Sequence, residues 1–228
     1  MFWLQKYIHY VKIRYHIIAL GDEFMIAIID YGAGNIQSVN KALKYIGCEA
    51  FITRDKEQIL QADGAVLPGV GSFGDTMDTM NSYGIKDTVI DFINSKKPFL
   101  GICLGLQLLF PKSEESPDAK GLGIFDGTIS KIPSGDGLKI PHIGWNSLEI
   151  KKNDGLFKGI DKNPYVYFVH SYFLNAADKN IVSAQTKYGV TIDAAIEKDN
   201  VFATQFHPEK SGETGLKILK NFADIVKV

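Results

Sequence analysis

The amino-acid sequence predicts an α/β fold, with an open, largely parallel sheet that is flanked by helices and carries added antiparallel strands. Two observations support this prediction. Between residues 25 and 110, short apolar runs of strand length alternate with stretches whose apolar residues recur at helical spacing. Beyond residue 113 the alternation ends, and short strand-like segments follow one another between Gly and Pro residues.

The first half of the chain supplies the parallel strands. Residues 25–30 are nearly all apolar, as a strand buried on both faces should be, and a Gly-rich turn leads from them into a helix. The elements predicted after that strand are helix 36–46, strands 48–53 and 64–67, a turn at 68–71, helix 83–95, strand 98–102 and helix 104–110.

The second half supplies the antiparallel strands and one last helix. Segment 127–150 contains several short strand-like pieces, and segments 165–170, 181–184, 190–197 and 201–205 resemble antiparallel strands. Residues 214–226 have helical periodicity. No long linker or internal repeat divides the chain, so we expect one domain rather than two.

The first 24 residues stand apart from this pattern. They are apolar and aromatic, but Lys6, Lys12 and Arg14 interrupt them, so no uncharged run reaches the roughly 18 residues of a membrane span. They also lack the layout of a signal peptide. We interpret residues 1–24 as an extension from an upstream start codon, in front of a domain at 25–228. A surface helix that docks on the domain is the alternative.

Composition excludes several classes of protein. A formal net charge of −1 without blocks of like charge gives no footprint for nucleic acid or an anionic membrane. Two cysteines, Cys48 and Cys103, favour neither a disulfide framework nor a zinc site, which indicates a reducing, cytoplasmic setting. The glycines at 32 and 34 lack the third glycine of a dinucleotide loop, since position 37 is Gln. We therefore expect neither a metal nor another cofactor.

The strongest chemical signal is the segment GICLG at 101–105, between a buried strand and an apolar helix. It has the pattern of a nucleophile elbow, with Cys103 as the nucleophile. The turn is so tight that only glycine fits two positions before and after the cysteine, and the helix N-terminus favours a thiolate. The N–H of Leu104 is then free to donate to an oxyanion. A buried structural cysteine is the alternative, which the two glycines and the strand-to-helix position disfavour.

A thiolate nucleophile needs a partner that moves protons, and His207 is the best candidate. It follows a predicted strand and precedes Pro208 and Glu209. In an extended segment, residues i and i+2 point to the same side, so Glu209 can orient the imidazole as the third member of a triad does. His142 and His170 have apolar neighbours and are interpreted as structural histidines. A surface turn is the alternative for the His-Pro-Glu segment.

A second Gly-rich turn, PGVG at 68–71, ends a strand at the same edge of the predicted sheet. Its glycines allow the Val70–Gly71 peptide to present an N–H to the oxyanion, if need be after a peptide flip. An ordinary turn between a strand and a helix is the alternative.

Together these motifs resemble class I, triad-type glutamine amidotransferases and, more narrowly, the glutaminase subunits of imidazole glycerol phosphate synthases. The resemblance covers residues 25–228. The cysteine elbow and QFHPE (205–209) are common to the wider family. The stretches that point to the narrower group are DYGAGNIQSVNKAL (30–43), LPGVGSFGD (67–75), PHIGWN (141–146) and HPEKSGETGLKILKNF (207–222).

The resemblance implies specific roles. Cys103 would be the nucleophile, His207 the general base and acid, and Glu209 the carboxylate that orients it. The residues implied at the oxyanion hole are Val70, Gly71 and Leu104. Those implied to bind glutamine are Gly69, Gly71, Gln107, Ser171 and Tyr172, and those implied at a partner interface are Trp145, Asn146, Tyr167 and Lys210. The implied partner is a (β/α)₈-barrel cyclase that receives ammonia and makes imidazole glycerol phosphate and AICAR in histidine biosynthesis.

Three alternatives to this function remain at the level of sequence. The same chemistry could serve a sugar amidotransferase partner in surface-polysaccharide synthesis. A scaffold subunit with a dead site is disfavoured by the intact triad, and a cysteine protease of similar fold is disfavoured by the glutamine-site residues and PHIGWN.

Overall fold

The computed structural model describes residues 24–32, 34–135 and 137–228. Residues 1–23 of the predicted extension lie outside the described residues, so that prediction is untested. Phe24 packs against the core, and Lys227 Nζ lies 4.9 Å from the centroid of its ring. In the part of the chain that the structure describes, no helix is long and apolar enough to cross a membrane.

An eight-stranded sheet forms the centre of the fold. Its strands are β1 (Met25–Ile29), β2 (Glu49–Thr53), β3 (Gly64–Gly69), β4 (Phe99–Cys103), β8 (Glu149–Ile150), β11 (Val182–Tyr188), β12 (Val190–Lys198) and β13 (Val201–Thr204). The order is β2-β1-β3-β4-β13-β12-β11-β8. The first five strands are parallel, and β12, β11 and β8 add antiparallel pairs. This confirms the predicted fold class.

Among the described residues, six helices cover the two faces of the sheet. They are α1 (Ile36–Tyr45), α2 (Lys56–Gln61), α3 (Phe73–Ser82), α4 (Ile85–Asn94), α5 (Leu104–Leu108) and α6 (Gly212–Val226). Apolar residues of α1 and α6 share one buried cluster with Ile26 and Ile28 of β1. Those of α2 to α5 share another with Ile29 of the same strand. The central strands are therefore apolar throughout because both of their faces are covered.

Two small sheets stand beside the large one. Strands β5 (Lys112–Ser113), β6 (Gly127–Lys131) and β10 (Tyr172–Ala176) form one. Strands β7 (His142–Ser147) and β9 (Tyr165–His170) form an antiparallel two-stranded ribbon. Segment 165–170 is thus a strand, as predicted, but it pairs outside the main sheet, and β10 was not predicted. Segment 201–205 pairs antiparallel with β12 and parallel with β4, so it joins the two halves of the sheet.

Other differences from the predicted elements are local. Strand β3 continues through Pro68 and Gly69, which were predicted to be in a turn, because these residues pair with Ile102 and Cys103 of β4. Helices α2 and α3 were not predicted. Both have the sequence signal of an N-cap, since the side chains of Asp55 and Ser72 accept hydrogen bonds from backbone N–H groups of the first turn.

One buried carboxyl that is not among the predicted site residues is tightly enclosed. Glu197 of β12 accepts a hydrogen bond from the Leu156 N–H at 3.2 Å. A Cβ on Gly155 would lie only 2.0 Å from Glu197 Oε2, so the loop packs directly on the carboxyl. Burial is the main cause that raises the pKa of Glu197 to about 7, and the negative charge of Asp154 raises it further. The hydrogen bond from the Leu156 N–H lowers the pKa and offsets part of this effect.

We predict that Glu197→Gln becomes stabilising as pH rises. The folded-state pKa is above the usual value of 4.5, so the stability that Glu197 contributes is present below 4.5 and is lost as pH rises through about 7. The difference in unfolding free energy between variant and wild type should therefore grow by about 2–3 kcal/mol from pH 5 to pH 8. Urea denaturation at the two pH values measures it, and equal differences at both would contradict the prediction.

Candidate active site

Cys103 occupies a strained turn between β4 and α5. Its φ is 56°, in the left-handed region, and it is buried. A Cβ on Gly105 would lie 2.0 Å from the carbonyl oxygen of Leu67, and one on Gly101 would lie 2.7 Å from the carbonyl oxygen of Gly105. Both neighbouring glycines are therefore required by backbone-to-backbone contacts, which is the steric demand that the elbow motif predicts.

His207 lies beside this turn because β13 pairs with β4, with Thr204 opposite Ile102. Its Nδ1 is 2.7 Å from Glu209 Oε1, and both side chains are buried. The predicted contact forms, but the reason given for it was wrong: residues Pro208–Lys210 form a 3₁₀ turn rather than an extended segment.

Asn35, which the sequence analysis did not single out, supports this pair. Its Nδ2 donates to Glu209 Oε1 and lies 3.4 Å from His207 Nδ1. Asn35 precedes α1 with a φ of 72°, and its side chain does not cap the helix. An Asn at this position usually accepts a backbone N–H with its Oδ1, whereas here the amide is oriented by the bond that its Nδ2 donates to the carboxylate.

Electrostatics favour a charged imidazole. Burial by itself lowers the pKa of His207, but interaction with Cys103 and the hydrogen bond to Glu209 outweigh it and raise the pKa to about 10. Because Glu209 occupies Nδ1, Nε2 is the ring nitrogen left for the thiol. Nε2 is buried and makes no regular hydrogen bond within the described part of the chain.

Two buried amides connect Cys103 to the cavity in front of it. Gln205 Nε2 lies 3.8 Å from Cys103 Sγ, and Gln205 Oε1 accepts a hydrogen bond from Gln107 Nε2 at 3.0 Å. Gln107 Nε2 also donates to the carbonyl of Tyr172 at 3.0 Å. Gln205 was not among the predicted site residues, although it belongs to the QFHPE motif.

The cavity has a volume of about 260 Å³ and opens beside the sulfur. Among its lining residues are seven that the sequence predicted: Val70, Gly71, Cys103, Leu104, Gln107, Ser171 and Tyr172. Four others were not predicted as site residues: Glu115, Pro141, Val169 and His170. Gly69 lies behind the wall rather than in it, because a Cβ there would meet Tyr31 Oη at 2.5 Å and Leu104 Cβ at 2.8 Å.

The predicted oxyanion loop lies at the rim of the cavity. Gly71 has a φ of 119°, which favours glycine, and Val70 is partly exposed. The Cγ2 of Val70 would be 3.2 Å from a Cβ on Gly34, so the loop after β1 packs against it. The inward N–H of the Val70–Gly71 peptide stays a prediction.

Aromatic residues cover the outer face of the β7–β9 ribbon. Trp145 pairs with Tyr167 across the ribbon, with ring centroids 6.2 Å apart. Ile143, Trp145 and Tyr165 are each more than half exposed, at 59%, 55% and 61%. Such a patch is unusual for a surface that meets only water, which is consistent with the predicted partner interface.

The other two predicted interface residues lie close by. Lys210 is exposed on the 3₁₀ turn after His207. Asn146 is half-buried, and its Nδ2 donates to the carbonyl of Lys187 at 3.0 Å. Within the residues that the structure describes, no group of three His, Cys, Asp or Glu side chains could hold a metal ion.

Comparisons with known proteins bear on the family of the chain. The family model for glutamine amidotransferase class-I matches residues 27–226. The imidazole glycerol phosphate synthase subunit HisH of Caldanaerobacter subterraneus is 54% identical over 203 residues, which cover 89% of this chain and 99% of that one. The HisH subunit of Methanothermobacter thermautotrophicus is 49% identical, with 89% and 100% covered.

Solved structures are similar in fold at lower identity. The crystal structure of a glutamine amidotransferase has a TM-score of 0.70 at 20% identity, with 89% of this chain and 99% of that chain covered. The structure of PurLQS from Thermotoga maritima has a TM-score of 0.69 at 21% identity, with the same coverage.

We predict that Gly105→Ala destabilises the protein by about 3 kcal/mol, because the new methyl group would meet backbone that cannot rotate away. The sign of the change in unfolding free energy tests this contact, since replacing Gly by Ala inside a helix ordinarily stabilises the protein by up to about 1 kcal/mol. Gly135→Ala is the matched control, because no atom lies within 4 Å of a Cβ there. Thermal or urea unfolding of both variants measures the effect, and equal stabilities would contradict it.

Proposed function

Because the chain belongs to the glutamine amidotransferase class-I family and, within it, to the HisH subunits of imidazole glycerol phosphate synthase, we propose that it hydrolyses glutamine to glutamate and ammonia for the synthesis of imidazole glycerol phosphate in histidine biosynthesis. One observation carries the proposal. The elbow cysteine, the buried His207–Glu209 pair and the cavity meet at the same edge of the sheet.

The chemistry uses Cys103 as nucleophile. Its thiolate attacks the amide carbon of glutamine, and the negative charge moves to the carbonyl oxygen. N–H groups of Leu104 and of the Val70–Gly71 peptide are the proposed donors to that oxygen. His207 then gives its proton to the departing nitrogen, and ammonia leaves as the C–N bond breaks. Water attacks the thioester while His207 accepts its proton, which releases glutamate and the thiolate.

The high pKa of His207 suits the acid step. At neutral pH, an imidazole with a pKa of about 10 is protonated and can donate to the leaving nitrogen as soon as the tetrahedral intermediate forms. The carboxylate of Glu209 holds the ring by Nδ1 and stabilises its positive charge, as the acidic member of a triad does.

The amino-acid end of glutamine would bind at the other side of the cavity. Both N–H bonds of the Gln107 amide are used, by Gln205 and by the Tyr172 carbonyl, so its Oε1 is the acceptor left for an ammonium group. Ser171, Tyr172, Gly69 and Gly71 are the other residues proposed here, of which Gly69 would act by shaping the wall.

The ammonia requires a partner. In neutral water it is protonated and no longer nucleophilic, and it diffuses away from an open site. We propose that the outer ribbon face with Trp145 and Tyr167, together with Lys210 and with Asn146, whose side chain lies on the other face of the ribbon, binds a (β/α)₈-barrel cyclase subunit that receives the ammonia. The relatives are subunits of imidazole glycerol phosphate synthase, which favours this acceptor over sugar amidation. A cytoplasmic location stays a prediction.

We predict that Cys103→Ala, His207→Asn and Glu209→Gln each lower kcat for glutamine hydrolysis by the complex, and that the first two lower it by roughly a thousandfold or more. Cys48→Ala is the control for the second thiol, which is buried in the core. A coupled assay of ammonia release measures kcat for each variant. Unchanged activity of Cys103→Ala would remove the proposed mechanism.

We also predict that the isolated chain hydrolyses glutamine slowly and that the liganded cyclase raises the rate strongly.

Trp145→Ala should weaken partner binding by about thirtyfold or more, because a central exposed aromatic is a typical hot spot. Tyr45→Ala is the matched control, since Tyr45 is a 79% exposed aromatic residue at the end of α1. Titration calorimetry with the cyclase compares the two variants, and equal affinities would place the interface elsewhere.

A further inference from the structure

Two buried histidines of the ribbon, His142 and His170, take no part in the proposed chemistry. We propose that they form a hydrogen-bonded chain with fixed tautomers, which positions the glutamine-binding side of the cavity from the partner-facing ribbon. The chain of hydrogen bonds is a statement about the structure alone, whereas its effect on glutamine rests on the proposed function.

The chain runs from the ribbon to the cavity wall in three steps. Asn146 Nδ2 lies 3.4 Å from His142 Nε2. His142 Nδ1 lies 3.0 Å from His170 Nε2. His170 Nδ1 lies 2.9 Å from the carbonyl oxygen of Tyr172. The two ring nitrogens of each histidine have one partner each, so the chain runs in one line from the Asn146 amide to the Tyr172 carbonyl.

Both ends of the chain fix its direction. A carbonyl only accepts, so His170 Nδ1 carries the hydrogen, and in a neutral ring His170 Nε2 must accept. His142 Nδ1 therefore donates to it, and His142 Nε2 accepts from Asn146. The Asn146 amide has the matching orientation, because its Nδ2 donates to the Lys187 carbonyl and its Oδ1 accepts from the Ser147 N–H. Both imidazoles are thus assigned as Nδ1–H tautomers.

The surroundings keep both rings neutral. Burial lowers the pKa of His142 to about 4. Burial also lowers the pKa of His170 to about 3, with the nearby His142 and His207 adding to the effect and the Tyr172 carbonyl opposing it. His142 is stacked against Phe168 and Tyr188, with centroids 4.7 and 3.9 Å away. A neutral ring has one donor and one acceptor, which is what a chain of this kind needs.

The far end of the chain reaches the proposed substrate site. The Tyr172 carbonyl accepts from His170 Nδ1 and also from Gln107 Nε2, so both donors share one oxygen. Gln107 is in turn bound to Gln205, whose amide lies beside the sulfur of Cys103. Loss of the histidine link would remove one of the two donors to this carbonyl and so weaken the positioning of the Gln107 amide, whose orientation leaves Oε1 for the substrate.

A matched pair of variants separates this function from packing. In His142→Asn, the side-chain amide can keep a donor where Nδ1 was, although the aromatic stacking is lost. In His142→Leu, the apolar volume between Phe168 and Tyr188 is kept, but no donor remains. A purely structural role predicts that the Leu variant performs at least as well as the Asn variant, because packing is all that counts. The proposal predicts the reverse order.

Steady-state kinetics of the complex with its cyclase partner is the first measurement. His142→Leu should raise KM for glutamine about tenfold, with kcat changed less than about threefold, which corresponds to one lost hydrogen bond at the binding side. His142→Asn should stay within about threefold of wild type in both constants. Equal KM values, or a higher KM for the Asn variant, would overturn the proposal.

Nitrogen-15 NMR of the histidine rings is the second measurement and needs neither substrate nor partner. His142 and His170, assigned by their variants, should both show a protonated Nδ1 and an unprotonated Nε2. An Nε2–H tautomer of either ring would refute the chain even if the complex hydrolyses glutamine. If the wild-type complex hydrolyses none, the proposed function fails separately. The Gln107 side-chain amide signals then decide the inference: a shift in the Leu variant alone supports it, and any other pattern overturns it.

Discussion

The close approach of backbone to backbone at Gly105 is the constraint on which the site depends. The first turn of α5 lies directly against the carbonyl of Leu67 in β3, with no space for a side chain. This contact holds β4 and α5 at the angle that leaves Cys103 with a φ of 56°, a conformation that costs free energy in any residue except glycine. The position of the Cys103 sulfur is therefore fixed, and the other groups of the site are arranged around it.

Strand order then assembles the site. Strand β4 lies between β3 and β13, so the loop after β3 with Val70 and the turn after β13 with His207 reach Cys103 from its two sides. Parallel strands end at the same edge of a sheet, which is why residues distant in sequence meet there. The third contribution comes from outside the main sheet, where the ribbon and β10 close the cavity with Ser171 and Tyr172.

Sequence reasoning succeeded where one local segment encodes both geometry and chemistry. The elbow, with its two glycines, and the His-Pro-Glu segment could be located because their spacing is short. It failed where the outcome depends on pairing between distant segments: the period-2 pattern of 165–170 indicates a strand but not that it leaves the main sheet for β7. Asn35 and Gln205 were missed for a related reason. Their amides are ordinary in sequence and gain their roles only from the carboxylate and the sulfur that the fold brings beside them.

Strand β9 connects the exposed aromatic patch to the backbone segment that carries His207. Tyr167 exposes its ring beside Trp145, while its carbonyl accepts the N–H of His207 and its own N–H donates to Ser211 Oγ. That hydroxyl in turn donates to the carbonyl of His207. The Tyr167 side chain lies on the outer face and its main-chain atoms contact the histidine segment, so natural variation can change the aromatic patch for a different protein while His207 stays held in place. During evolution, such a chain could change its binding partner and keep the same catalytic reaction.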